Sequence, residues 1–156
     1  MYYVMVLGLT VALPLVSTMI ELAVGGSGAS LLAVAGKWWV FWGIGGRLLV
    51  AGISQVLRPG FTVHNILGYD DEGATHVVQE LGYANVAIGA AGILSLPFPV
   101  LAPGAAIVGG LFMALAGIRH VTKSGKEARE LVATVTDLLV GAIALAYGLG
   151  SVLGWL

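Results

Sequence analysis

The chain of 156 residues contains no cysteine. Disulfides, thiolate metal sites, iron–sulfur ligation and cysteine nucleophiles are therefore excluded, and the redox compartment leaves no mark. Charge is also scarce. Asp, Glu, Lys and Arg make up 10% of the residues, against roughly a quarter in soluble domains. The formal balance of −1 offers no basic stripe for nucleic acid. There is no HExxH pattern, and no Ser–His–Asp arrangement can be assembled from spacing. The glycines of Gly43-Ile44-Gly45-Gly46 lie inside an apolar run, so they do not form a phosphate-cradling loop.

What fills the chain instead is apolar. Hydrophobic residues make up 58% of it, and the mean hydropathy is +0.98. A water-soluble fold of this length could not hide so much apolar surface. A bilayer span needs about 20 mostly apolar residues. The clearest apolar runs cover residues 2–24, 38–57, 82–96, 102–118 and 131–156. The expected fold is an all-α integral membrane helical bundle in one unit, with five transmembrane helices: a four-helix core plus one. The helices are expected near residues 3–23, 38–57, 76–96, 102–120 and 129–154. Pro14 falls inside the first, where neighbouring helices must satisfy the freed carbonyl. That first helix lacks a basic n-region and is too long for a signal peptide, so it is expected to be retained. Residues 29–36 either lead into helix 2 or lie along its mouth.

Orientation follows from Lys and Arg in short loops. Arg119, Lys123, Lys126 and Arg129 gather between helices 4 and 5. The expected cell-membrane topology has the N-terminus in the cytoplasm and the C-terminus outside. Trp38, Trp39, Trp42 and Trp155 then sit near the outer face, where indoles are favoured. Small residues recur at packing spacing in Ala106/Gly110/Ala114 and Gly150/Gly154. Bundle packing accounts for them most simply; the sharper reading is an oligomer or partner interface, for which Gly150/Gly154 on the terminal helix is the better candidate.

Ionisable groups at membrane depth are the best functional pointers, because each is costly unless paired. Arg47 lies near the middle of helix 2, Asp137 about nine residues into helix 5, and Asn85 at a similar depth in helix 3. At 1.5 Å per residue these three share one level. The simplest expectation is an Arg47–Asp137 pair locking the bundle with Asn85 capping it; the sharper one is a polar site for a ligand head group or a proton. A second group is expected at the cytoplasmic mouth. His76, Glu80 and Tyr83 share a helix face at i, i+4 and i+7, with Gln79 adjacent and His64, Arg58 and His120 nearby. Interfacial hydrogen bonding explains them better than a metal, and haem lacks facing axial ligands. Asp70-Asp71-Glu72 reads as a solvated turn before helix 3, and Glu21 as reaching the interface or pairing with Lys37. The candidate ligand-binding set is Arg47, Glu80, Asn85, His120 and Asp137, expected to line a polar cavity in the cytoplasmic half of the bundle.

Residues 41–120 resemble the DoxX-like group of small bacterial and archaeal membrane proteins. The resemblance rests on Gly45-Gly46-Arg47-Leu48-Leu49 with Gln55 and Arg58-Pro59, on Glu80-Leu81-Gly82-Tyr83-Ala84-Asn85, and on Ala116-Gly117-Ile118-Arg119-His120. These motifs are loose and cover about half the chain. The resemblance implies a four-helix core and an association with membrane redox chemistry. The fifth span and the absence of cysteine depart from it.

The functional expectation is an accessory or anchoring membrane subunit, binding a quinone or lipid-like ligand in a polar-lined site within the bundle. Membrane lipids, a homo-oligomer or a larger membrane complex are its expected partners. The alternatives are a small proton-coupled transporter or channel, and a membrane enzyme acting on a lipid-soluble substrate through His76, Glu80 and His120. No inverted repeat supports transport.

Overall fold

The computed structural model describes residues 2–25, 28–63, 72–121 and 128–156. Their regular structure is helical throughout. Five helices are long and apolar enough to cross a membrane. We label them α1 (Tyr2–Val24) and α2 (Leu31–Leu57), then α3 (Glu72–Leu94), α4 (Ala102–Val121) and α5 (Ala128–Val152). A one-turn helix, Pro59–Thr62, follows α2, and a 3-10 turn, Pro99–Leu101, leads into α4.

Local chemistry sets several of these boundaries. Ser30 caps α2: its backbone is extended and its Oγ accepts from the Ala33 N–H at 3.1 Å. Helix 2 therefore starts at Leu31, and most of the 29–36 segment belongs to it. A capping hydroxyl satisfies one of the orphan N–H groups of a first turn. α3 starts at Glu72, a turn earlier than the expected start at residue 76, and stops at Leu94 shortly before Pro97.

Two spans contain π-helical turns. In α1 these cover Gly8–Ala12, just ahead of Pro14. Proline removes an N–H and clashes with the carbonyl four residues back. The wider turn relieves both: the Leu13 N–H reaches the Gly8 carbonyl. In α2 the π segment is longer, Trp39–Gly46, and Arg47 follows it directly. Such turns change which way every later side chain faces, and they cluster at functional positions.

α2 is the central helix and packs against all four others. With α4 and α5 it forms the apolar core of Val40, Ile44, Leu48, Ala105, Ala106, Met113, Val140 and Ala144. Two antiparallel pairs carry the rest, α2 with α3 and α4 with α5. Glycine lets their backbones touch. A Cβ on Gly92 would lie 2.7 Å from the Gly45 Cα, and one on Gly89 2.5 Å from the Leu49 nitrogen. In the second pair a Cβ on Gly141 would lie 2.9 Å from the Ala114 nitrogen and 3.0 Å from the Gly110 oxygen. Close approach of this kind drives association where lipid supplies no hydrophobic push.

Ala106/Gly110/Ala114 is thus used inside the bundle, against α5. The Gly150/Gly154 pair is not a helical pair at all. α5 ends at Val152, and Gly154 sits beyond it with φ +71°, where the Trp155 N–H donates back to the Gly150 carbonyl at 2.8 Å. A left-handed glycine past the last turn is a helix terminator.

Large apolar side chains such as Val4, Met19, Ile20, Val77, Leu115 and Val135 point outward. A lipid environment suits that surface, and water does not.

Candidate functional site

The buried polar layer sits where α2 and α5 face each other. Arg47 Nη2 donates to Asp137 Oδ1 at 2.7 Å. Their side chains keep only 13% and 6% of their exposure. Both are deep inside spans, so the π segment that aims Arg47 at α5 has a direct electrostatic consequence. His120, near the end of α4, and Tyr2, at the start of α1, lie within electrostatic reach of the pair. Tyr2 Oη donates to the Arg129 carbonyl at 3.4 Å, tying α1 to α5.

The pair is not fully satisfied. Arg47 Nε is buried without a hydrogen-bond partner among the described residues. A buried donor left unmade costs about 1–3 kcal/mol. Asn85 forms a separate contact: its Nδ2 donates to Gln55 Oε1 at 2.7 Å, across the α2–α3 seam. Its Oδ1 is also buried and unpartnered. Among the described residues each of these two separate contacts thus leaves one buried polar atom unpartnered, a donor on Arg47 and an acceptor on Asn85.

Of the five candidate ligand-binding residues, the structure pairs Arg47 with Asp137, with His120 within electrostatic reach of the pair but not in contact with it by any hydrogen bond or ion pair among the described residues. Asn85 is held apart by Gln55. Glu80 is exposed on the outer side of α3, with His76 and Tyr83. The cause is the glycine seam. Gly82, Gly89 and Gly92 must face α2, and Asn85 shares their side of the helix. Glu80 lies on the opposite side at 3.6 residues per turn. One cavity lined by all five side chains is therefore not formed. Gln79 does turn inward, with Nε2 donating to the Val56 carbonyl at 3.3 Å. His64, Asp70 and Asp71 lie outside the described residues. Among the described residues no three His, Asp or Glu side chains are placed to hold a metal ion.

Tyr2 and Gln55 are the members of this layer that residue-level reasoning missed. Tyr2 reads only as the start of an apolar helix, and no spacing links it to Asp137. Gln55 stands one helical face away from Arg47 by simple periodicity, and only the α2–α3 contact gives it a role.

The opposite end of the bundle holds a second polar group. Lys37 Nζ donates to Glu21 Oε1 at 2.5 Å, and Trp38 Nε1 donates to Glu21 Oε2 at 2.7 Å. Trp42 Nε1 donates to Ser17 Oγ at 3.0 Å. These indoles bind α1 to α2. Trp39 is core, with its indole nitrogen buried and unpartnered, while Trp155 is exposed. Two shallow clefts flank the Glu21–Lys37 pair. One, about 380 Å³, is lined by Ser17, Ile20, Val24 and Trp38; the other, about 210 Å³, by Ala33, Val34, Lys37 and Tyr147.

No family model matches the chain, and no curated protein or solved structure matches it either.

Proposed function

We propose that this chain is an accessory or anchoring subunit of the cell membrane, associated with membrane redox chemistry, that holds a quinone or similar lipid-like ligand beside its buried polar layer. One observation carries the reading. Among the described residues a buried donor, Arg47 Nε in the α2–α5 pair, and a buried acceptor, Asn85 Oδ1 in the separate α2–α3 contact, are both left unpartnered inside an apolar bundle. Native proteins rarely leave such groups unmet. A quinone carbonyl accepts from a guanidinium N–H, and the hydroxyl of the reduced form donates to an amide oxygen. The rest of such a molecule is apolar and suits the surrounding helices. The resemblance of residues 41–120 to the DoxX-like group supports the redox setting.

The test is retention of ligand. Asn85→Leu should lose most copurifying quinone or lipid relative to wild type. The fold should survive, because one neutral hydrogen bond is worth about 1 kcal/mol. Equal retention in the variant would reduce the layer to helix glue. A second reading, a small proton-handling protein, draws on the gathering of Tyr2, Arg47, His120 and Asp137. It requires pH-driven dye quenching in proteoliposomes that disappears in Asp137→Asn.

The proposed orientation places the α4–α5 connection in the cytoplasm. The cysteine-free background makes this simple to check. Ser124→Cys should resist an impermeant thiol reagent in intact cells, and Trp155→Cys should react. The reverse pattern would invert the topology.

A further inference from the structure

The mouth of the α1–α2 hairpin holds an ion pair that does not use all of its hydrogen-bonding capacity. Glu21 lies less than one turn from the end of α1 at Val24, and Lys37 less than two turns from the start of α2 at Leu31. Glu21 Oε1 accepts from Lys37, and Glu21 Oε2 accepts from the Trp38 indole. A carboxylate oxygen accepts more than one donor, and an ammonium carries further N–H groups. About a third of each side chain is open, 33% for Lys37 and 30% for Glu21. A free donor of positive charge and a free acceptor of negative charge therefore lie side by side. Glu21 also lines both clefts described above, so the two meet at the pair. The larger one runs along the apolar side chains of Ile20, Val24 and Trp38. The smaller one lies between Lys37 and Tyr147. Indoles favour the level of phospholipid head groups, and here one is bonded directly to the pair.

We propose that this mouth binds a zwitterionic phospholipid with a primary ammonium, phosphatidylethanolamine. The lipid phosphate accepts from the Lys37 ammonium, the lipid ammonium donates to the Glu21 carboxylate, and an acyl chain lies along Ile20, Val24 and Trp38. Charge complementarity selects this occupant. The site carries one charge of each sign in contact, and so does the head group. An anionic head group with no cation would meet Lys37 but would also face Glu21, which repels it. A choline head group has no N–H to give Glu21. Its other means of recognition, an aromatic face, is engaged at Trp38 by the Lys37 ammonium, 5.2 Å from the ring centroid. The apolar cleft beside the pair is what separates a lipid from a free phosphate or amine, because only a lipid brings a chain to fill it. This site lies at the opposite end of the bundle from the Arg47–Asp137 pair and does not depend on what that pair holds.

The experiment titrates the full chain in detergent with phosphatidylethanolamine, phosphatidylcholine and phosphatidylglycerol of identical acyl chains. Native mass spectrometry counts the lipids bound. Phosphatidylethanolamine should bind about tenfold tighter than either of the others, the scale of one hydrogen bond to a charged group. Ile20→Trp fills the apolar cleft from an exposed position. It should weaken phosphatidylethanolamine about tenfold and leave thermal unfolding unchanged. Glu21→Gln keeps an acceptor for Lys37 and removes the negative charge, so its preference should move to phosphatidylglycerol. Phosphatidylethanolamine binding no tighter than either other lipid in the wild type would overturn the proposal. So would a lipid order that Glu21→Gln leaves unchanged, or binding that survives Ile20→Trp. Oxidant-induced linkage of Ile20→Cys to a second copy or to another protein in membranes would also overturn it, by placing a polypeptide in the cleft.

Discussion

Arg47→Leu is expected to lower stability by about 3–5 kcal/mol, the cost of leaving a buried charge without its partner. The carboxylate of Asp137 would remain in the interior of the bundle with its Arg47 contact removed. Asp137→Leu should cost a comparable amount, because it strands the guanidinium instead. The double replacement should recover much of the loss. Two leucines fill similar volume, and a well-packed apolar pair commonly matches or exceeds a buried ion pair in stability. Thermal unfolding in detergent reads all four proteins. Strictly additive losses would show that the two side chains do not depend on each other, which the 2.7 Å contact speaks against.

Gly89→Val is the second large effect. A Cβ at Gly89 would lie 2.5 Å from the Leu49 nitrogen, 2.9 Å from its Cα and 3.1 Å from the Gly45 oxygen. Every one of these atoms is backbone, so no rotamer change can make room. Overpacking typically costs about 1–3 kcal/mol and more when side chains cannot move. Here α2 and α3 must separate, and the Asn85–Gln55 contact along the same seam should be lost with them. Gly104→Ala is the matched control, since a Cβ there meets nothing within 4 Å. Alanine is the better helix former by up to about 1 kcal/mol, so this variant should be neutral or slightly stabilised. Equal behaviour of the two variants in thermal unfolding would remove the glycine seam as a determinant of the fold.

The polar layer was only partly legible in the chain. Arg47 and Asp137 stand out because a charge inside an apolar run is rare and must be met by something. Counting residues along each helix put them at one depth, and the structure has them in contact. Glu80 stood out for sharing a helix face with His76 and Tyr83, but a shared face says nothing about which way that face points. Nothing in the sequence around Glu80 ranks its face against that of Gly82, Gly89 and Gly92 until α2 is in place. Tyr2 carried no charge to draw attention, and its role comes from where the start of α1 meets the start of α5.

The number of helices, their all-α character and their fitness for a membrane follow from the sequence alone. Apolar runs of span length separated by Gly, Pro and charged segments leave no other way to satisfy the backbone in lipid. The Ser30 cap and the effect of Pro14 are likewise local. Tertiary structure decided which faces meet. The π-helical turns at Trp39–Gly46 break the 3.6-residue period on which any assignment of faces depends. In an apolar helix, moreover, hydrophobic patterning does not distinguish the side facing protein from the side facing lipid. That choice is made by backbone-to-backbone approach at glycines, which only the packed bundle specifies.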